Sequence, residues 1–140
     1  MPIRYLLDTN VISEMAAKAP DAGVARALAR HEADCALPAP VLEELHFGVA
    51  RLAPGRKRAM LERWLAALAD RIEVLPYDAG AATWLGRERA RLSGLGKPAP
   101  RADGEIAAIA VTRGLTLVTR NLGDFAGFEG LFLENWHTGK

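Results

Sequence analysis

Residues 3–10 read Ile-Arg-Tyr-Leu-Leu-Asp-Thr-Asn (IRYLLDTN), a short apolar run stopped by three polar residues. So short a run fits a strand buried inside a sheet, with Asp8, Thr9 and Asn10 turning the chain out of it. The same punctuation recurs along the chain. Residues 115–119 (LTLVT) form the clearest strand and are followed by Arg120-Asn121-Leu122-Gly123-Asp124. Residues 34–37 (DCAL) and 72–75 (IEVL) read as two further strands. Helical patterns lie between them: a short one near Val11–Ala17, then Gly23–His31 and Val41–Leu52. A stripe through Leu61, Trp64, Leu65 and Leu68, and helices over Ala79–Leu92 and Asp103–Arg113, complete the set. Pro38 and Pro40, Pro54-Gly55, the Gly/Pro-rich Ser93–Pro100 and Gly114 separate the elements. This rhythm predicts a three-layer α/β/α fold with a mainly parallel central sheet.

A chain of 140 residues is expected to fold as a single domain over residues 1–140, with no internal repeat or linker to divide it. Half of its residues are hydrophobic, yet no apolar run approaches the roughly 20 residues that span a bilayer. The N-terminus lacks a signal-peptide layout. The single Cys35 excludes an internal disulfide and a cysteine-rich zinc site, which agrees with a reducing cytoplasm. A net charge of +1 selects no class of partner.

Four acids stand where strands end or helices begin: Asp8, Glu44, Asp103 and Asp124. In an open parallel sheet these places share one edge, the edge at which ligands bind. Each acid has an ordinary structural reading too. Asp8 and Asp103 suit helix N-caps, Asp124 a turn, and Glu44 a solvated surface position. Their convergence is the stronger signal, because crowded carboxylates repel unless a hard divalent cation lies among them. Phase separates Glu44 from Glu43. At about 100° per residue, Glu44 borders the stripe of Val41, Leu45 and Leu52, while Glu43 faces away. Asn10 and Asn121 add neutral oxygens and donors near the same edge.

Taken together, these stretches resemble the PIN-domain nucleases, specifically the VapC/FitB-type toxins of prokaryotic toxin–antitoxin pairs. The resemblance is carried by LLDTNVISE (6–14), PVLEELHFGV (40–49), ADGEIAAIA (102–110) and TRNLGDF (119–125), and it runs through nearly the whole chain. The closing Glu134-Asn135-Trp136 is similar to an Asn-Pro-Trp ending of some members, without the Pro. The resemblance implies an acidic core of Asp8, Glu44 and Asp103, completed by Asp124, with Asn121 standing where other members place that acid. It implies an endoribonuclease that uses Mg²⁺ or Mn²⁺, the ions an all-oxygen donor set suits. It also implies a homodimer, a VapB-like antitoxin as partner, operator DNA bound only through that antitoxin, and no membrane.

Basic residues bunch in two places: Arg51, Arg56, Lys57, Arg58 and Arg63, and again Arg87, Arg89, Arg91, Lys97 and Arg101. Most read as solvated helix faces. Lys97 and Arg101 precede Asp103 and are the best placed to hold an RNA phosphate. His31, His46 and His137 read as surface or packing residues, and Phe47, turned off its helix's apolar stripe, as a covered surface. Two rival enzyme classes lose ground on single positions. A Rossmann-like phosphatase would want an acid at Asn10, and a dinucleotide-binding domain a G-x-G-x-x-G turn after the first strand. The non-enzymatic alternative is a degenerate PIN domain used only for binding.

Overall fold

The computed structural model describes residues 2–139. Five strands form one sheet: β1 (Tyr5–Leu7), β2 (Cys35–Pro38), β3 (Glu73–Leu75), β4 (Thr116–Val118) and β5 (Phe132–Glu134). Their order is β3-β2-β1-β4-β5, and every pair is parallel. Tyr5, Leu6 and Leu7 pair with Thr116, Leu117 and Val118. All three residues of β1 are buried, and so are the four of β2, as expected of strands covered on both faces.

The helices are α1 (Thr9–Ile12), α2 (Ala22–His31), α3 (Ala39–Ala50), α4 (Arg56–Arg71), α5 (Ala79–Gly94), α6 (Arg101–Thr112) and α7 (Leu122–Phe125). The chain steps outward from β1 to β2 to β3, then returns past β1 to place β4 and β5 on its other side. Right-handed crossovers put the helices of these two halves on opposite faces, which yields the three layers. The fold class read from the sequence is therefore the observed one, with a sheet that is parallel throughout.

Several boundaries move. The helix near Val11–Ala17 is split into α1 and a 3₁₀ turn over Ser13–Ala16. The helix expected to open at Asp103 begins two residues earlier, at Arg101, directly after Pro100. What holds α6 in place is its run from Ile106 to Ala110, five consecutive buried residues on a helix that packs against α5 and β4.

The C-terminal segment is tied back to the start of α2. Asp21 caps that helix by accepting from the Val24 N–H at 3.0 Å, and also accepts from Thr138 Oγ1 at 2.8 Å and the Thr138 N–H. Gly23 is required here, because a Cβ would strike the Trp136 carbonyl oxygen. The donors around Asp21, led by the Val24 N–H, hold its carboxyl down at about 2. A depressed carboxylate contributes stability above its unfolded value and loses it as pH falls through the folded one. Asp21→Ala should therefore melt earlier than the parent in urea at pH 7, and the gap should narrow as pH falls from about 4 to about 2. A gap independent of pH over that range would show that the carboxylate charge is not what matters.

Candidate active site

The sheet reverses its strand order between β1 and β4, and Asp8 stands at the end of β1 in that crevice. Its backbone N–H donates to the Val118 carbonyl at 3.0 Å, which carries the β1–β4 pairing one residue beyond the strand. The side chain is buried, with 7% of its residue surface exposed. Oδ1 accepts from the Thr9 N–H at 2.8 Å and caps α1; Oδ2 accepts from Thr119 Oγ1 at 2.8 Å and Asn10 Nδ2 at 3.3 Å. Capping and a role at the site are thus compatible, since different oxygens serve each. Burial raises the Asp8 pKa; the hydrogen bonds from Thr119 and Thr9 act against this, and the nearby Glu44 charge adds to it.

Asp103 is not an N-cap. It is the third residue of α6, half-buried, and among the described residues no hydrogen bond reaches its carboxylate. Its pKa is also raised, first by desolvation and then by the charges of Asp8, Asp124 and Glu44. Asp103 therefore feels the charges of the other three acids found in the sequence, and Asp8 that of Glu44. Glu44 accepts from Thr9 Oγ1 at 2.8 Å, which links α3 to α1 beside Asp8. Glu44 and Glu43 are both exposed, so what separates them is this contact and not burial. Asp124 is exposed in the first turn of α7.

No Lys or Arg pairs with any of the four among the described residues. Four carboxylates with only oxygen atoms to offer, no cysteine nearby and no cationic side chain between them are a donor set for a hard divalent ion. As the side chains stand, no three His, Cys, Asp or Glu among the described residues are close enough to hold one ion. Glu44 and Asp124 are exposed, whereas Asp103 is half-buried and Asp8 buried.

The remaining sequence candidates divide. Asn10 belongs to the cluster: its Oδ1 accepts from the Arg120 N–H at 3.0 Å while its Nδ2 faces Asp8, so it ties the β1 and β4 ends together. Asn121 is exposed and makes no side-chain cap to α7; its N–H donates to Thr119 Oγ1 at 3.0 Å. Arg101 is engaged by Glu105, Nε to Oε2 at 3.0 Å, and Lys97 is exposed without an ion pair among the described residues. Arg91 is structural. It grips the buried Glu88 through two bonds of 2.8 and 2.6 Å and also donates to the Gly127 carbonyl at 2.9 Å. His137 is a packing residue, 5% exposed. Phe47 is 64% exposed in the isolated chain, with the Arg51 guanidinium over its ring at 5.3 Å.

Two residues of the cluster escape a reading of the sequence. Thr119 is fully buried and bonds the central carboxylate, and Thr9 holds Glu44. A hydroxyl residue at the very end of the clearest strand is the available signal for Thr119.

A parallel α/β sheet with an acidic cluster at its switch point places the chain among the α/β proteins whose ligands bind at the carboxyl edge of the strands. The match to known sequences narrows this: the PIN domain model matches residues 5–129, and the chain belongs to the PIN-domain family, among relatives of VapC/FitB type. It is 34% identical over 135 residues to the tRNA(fMet)-specific endonuclease VapC of Shigella flexneri, covering 96% of this chain and 98% of the relative. It is 36% identical to Toxin FitB of Neisseria gonorrhoeae, covering 94% and 98%. The structure is similar to that of VapBC2 from Rickettsia felis bound to a DNA fragment from their promoter. There the TM-score is 0.82 at 28% identity, covering 97% of this chain and 99% of the other.

Proposed function

We propose that this protein is the ribonuclease toxin of a VapBC-type pair, an endonuclease that hydrolyses RNA phosphodiester bonds with Mg²⁺ or Mn²⁺ at the acidic edge. One observation carries the reading: the Asp103 carboxylate is half-buried, without a hydrogen-bond partner among the described residues, and faces three other acids with no cation to offset them. That arrangement is unfavourable for the protein alone and favourable once a divalent ion is bound. The names of the relatives, endonuclease and toxin, support the same reading.

Asp8, Glu44, Asp103 and Asp124 would hold the ion, with Asn121 as a neutral contributor. A divalent ion held there supplies an activated water and offsets charge developing on the phosphate. The chain's own contribution is positioning. Thr119 and Asn10 fix the direction of the Asp8 carboxylate, and Thr9 holds Glu44 at the rim. Lys97 is free to meet a substrate phosphate, and Arg101 can do so by leaving Glu105. The buried floor under Asp8 excludes water from one side of the cluster.

The proposed partners are a VapB-like antitoxin, operator DNA through that antitoxin alone, and a second copy of this chain. The DNA-bound VapBC2 structure supports the first two. Among the described residues no helix is long and apolar enough to cross a membrane.

The direct test is cleavage of total cellular RNA by purified protein. Activity should vanish in EDTA and return with Mg²⁺ or Mn²⁺; restoration by Zn²⁺ alone, or no cleavage under any condition, would refute the reading. Within that assay Glu44→Gln should reduce the rate by on the order of 10-fold or more, and Glu43→Gln by less than about twofold, since only Glu44 touches the cluster. Equal losses would place the active acid elsewhere on α3.

A further inference from the structure

A second charged feature lies away from the acidic edge. One flank of helix α2 borders an open groove of about 670 Å³. Arg26 and Arg30 line it, one turn apart on the same side of the helix, and His31 and Trp136 close its end. Both arginines are exposed, and neither has an ion-pair or hydrogen-bond partner among the described residues. In contrast, Arg71, Arg91, Arg101 and Arg113 are each held by a carboxylate. Gly23 and Ala27 leave the groove floor free of large side chains.

The aromatic end is built. Trp136 stacks with His31 at 5.9 Å between ring centroids and 29° between planes, and both rings rest on the buried Tyr5 at 5.2 and 4.9 Å. Trp136 Nε1 donates to Glu134 at 3.0 Å, and His31 lies 3.9 Å from Asp34, so the nearby acids are engaged at the ring edges. A pre-packed, half-buried indole beside two free guanidinium forks combines the two elements that bind single-stranded nucleic acid: charge for the backbone and a flat surface for a base.

From this we infer that the α2 groove is a second RNA-binding site, which holds a single-stranded part of the substrate remote from the cleaved bond. Arg26 and Arg30 bind successive phosphates, and Trp136 offers a stacking face. The inference rests on the proposed RNA substrate, and its contribution is to affinity, not to the chemical step. A single strand is favoured over duplex because an indole can stack only on a base that is not already paired within a helix.

The test uses the full chain carrying Asp8→Asn, so that RNA is bound but not cut, and a fluorescein-labelled 20-nucleotide single-stranded RNA of mixed sequence as probe. Arg26→Gln with Arg30→Gln should lower affinity about tenfold at 0.1 M salt. It should also flatten the log–log salt slope by about 1.4, which is about 0.7 for each lost contact on a single strand. Both side chains are exposed, so the circular dichroism spectrum and melting temperature should not move. With Asp8 intact, the same double variant should cleave a short substrate at the parent's saturated rate while showing a raised KM on long RNA. Unchanged affinity and slope would overturn the site, as would weakened binding confined to duplex DNA. The nuclease reading fails separately, if the unmutated chain does not cleave RNA with Mg²⁺ or Mn²⁺, and the binding result stands whichever way that falls.

Discussion

Asp8→Asn should give a folded protein whose RNA cleavage falls by more than about 100-fold, and whose expression no longer arrests growth. The scale comes from the residues around it. Substituting an outer partner of a metal ligand costs about 10–100-fold in affinity or activity. With Asp8 as a proposed ligand, Thr119, which donates to Asp8 Oδ2 at 2.8 Å, would be such a partner, and Thr119→Val should fall in that range. Asp8 stands at the centre of the cluster and should exceed it. The fold should survive because the substitution is isosteric and burial already disfavours the charged form. An Asn carbonyl still accepts one of the present bonds; its NH₂ meets the donors of Thr119 or Asn10 and costs a modest amount of stability. Cleavage near the parent's rate by Asp8→Asn, with Mg²⁺ present, would end the assignment. In cells, co-expression of the proposed VapB-like antitoxin should rescue growth in the parent, and the variant should need no rescue.

The second large effect reverses the usual direction of a charge-removing mutation. Without metal, Asp103→Asn should melt above the parent by at most about 4 °C, the shift that roughly 1 kcal/mol gives in a domain of this size. The folded-state pKa of Asp103 lies above its unfolded value, owing to desolvation and then to Asp8, Asp124 and Glu44. Such an acid destabilises the fold when ionised, from the ordinary carboxylate range upward, and a neutral Asn removes that penalty at pH 7. The exposed part of the carboxylate lets solvent screen the repulsion, which keeps the expected gain at no more than about 1 kcal/mol. It must also outweigh the favourable interaction of an acid in the first turn of α6, about 0.3–1 kcal/mol. Metal should invert the ranking. Mg²⁺ or Mn²⁺ at 100 times its Kd stabilises the parent by about 2.7 kcal/mol, and most of this should be absent from Asp103→Asn. Thermal melts with and without ion read both halves; a variant that melts lower without metal, or shifts as much as the parent with it, would contradict the account.

The strands that pack as short apolar runs are legible in the sequence. β1, β3 and β4 fall within the segments read from it, and β2 overruns its segment by one residue, to Pro38. β5 is not legible. Phe132, Leu133 and Glu134 make an edge strand whose ends are exposed, with neither the apolar run of a central strand nor a clear alternation. The four-residue α7 reads as a turn for a similar reason, since so few residues show no helical period. The start of α6 reads as Asp103 because Asp is a favoured cap, whereas the chain enters the helix straight after Pro100. That two-residue shift leaves the Asp103 carboxylate outside the cap and without a hydrogen bond among the described residues. Among the cations, Arg91 is indistinguishable from its neighbours until the structure shows it bound to Glu88.

By itself the sequence determined the α/β rhythm and the acids that follow strands and open helices; the Thr9 contact that sets Glu44 apart from Glu43 belongs to the tertiary structure. The rhythm and the places of those acids are local properties, set by how apolar residues repeat and where the chain must turn. Only the tertiary structure decided that the strand order is β3-β2-β1-β4-β5, that Thr119 grips Asp8 from 111 residues away, and that Arg26 and Arg30 share an open groove with Trp136. Strand pairing and side-chain partnership join segments remote in the chain. Their energies depend on which surfaces the whole fold brings together, and no local period in the sequence encodes that choice.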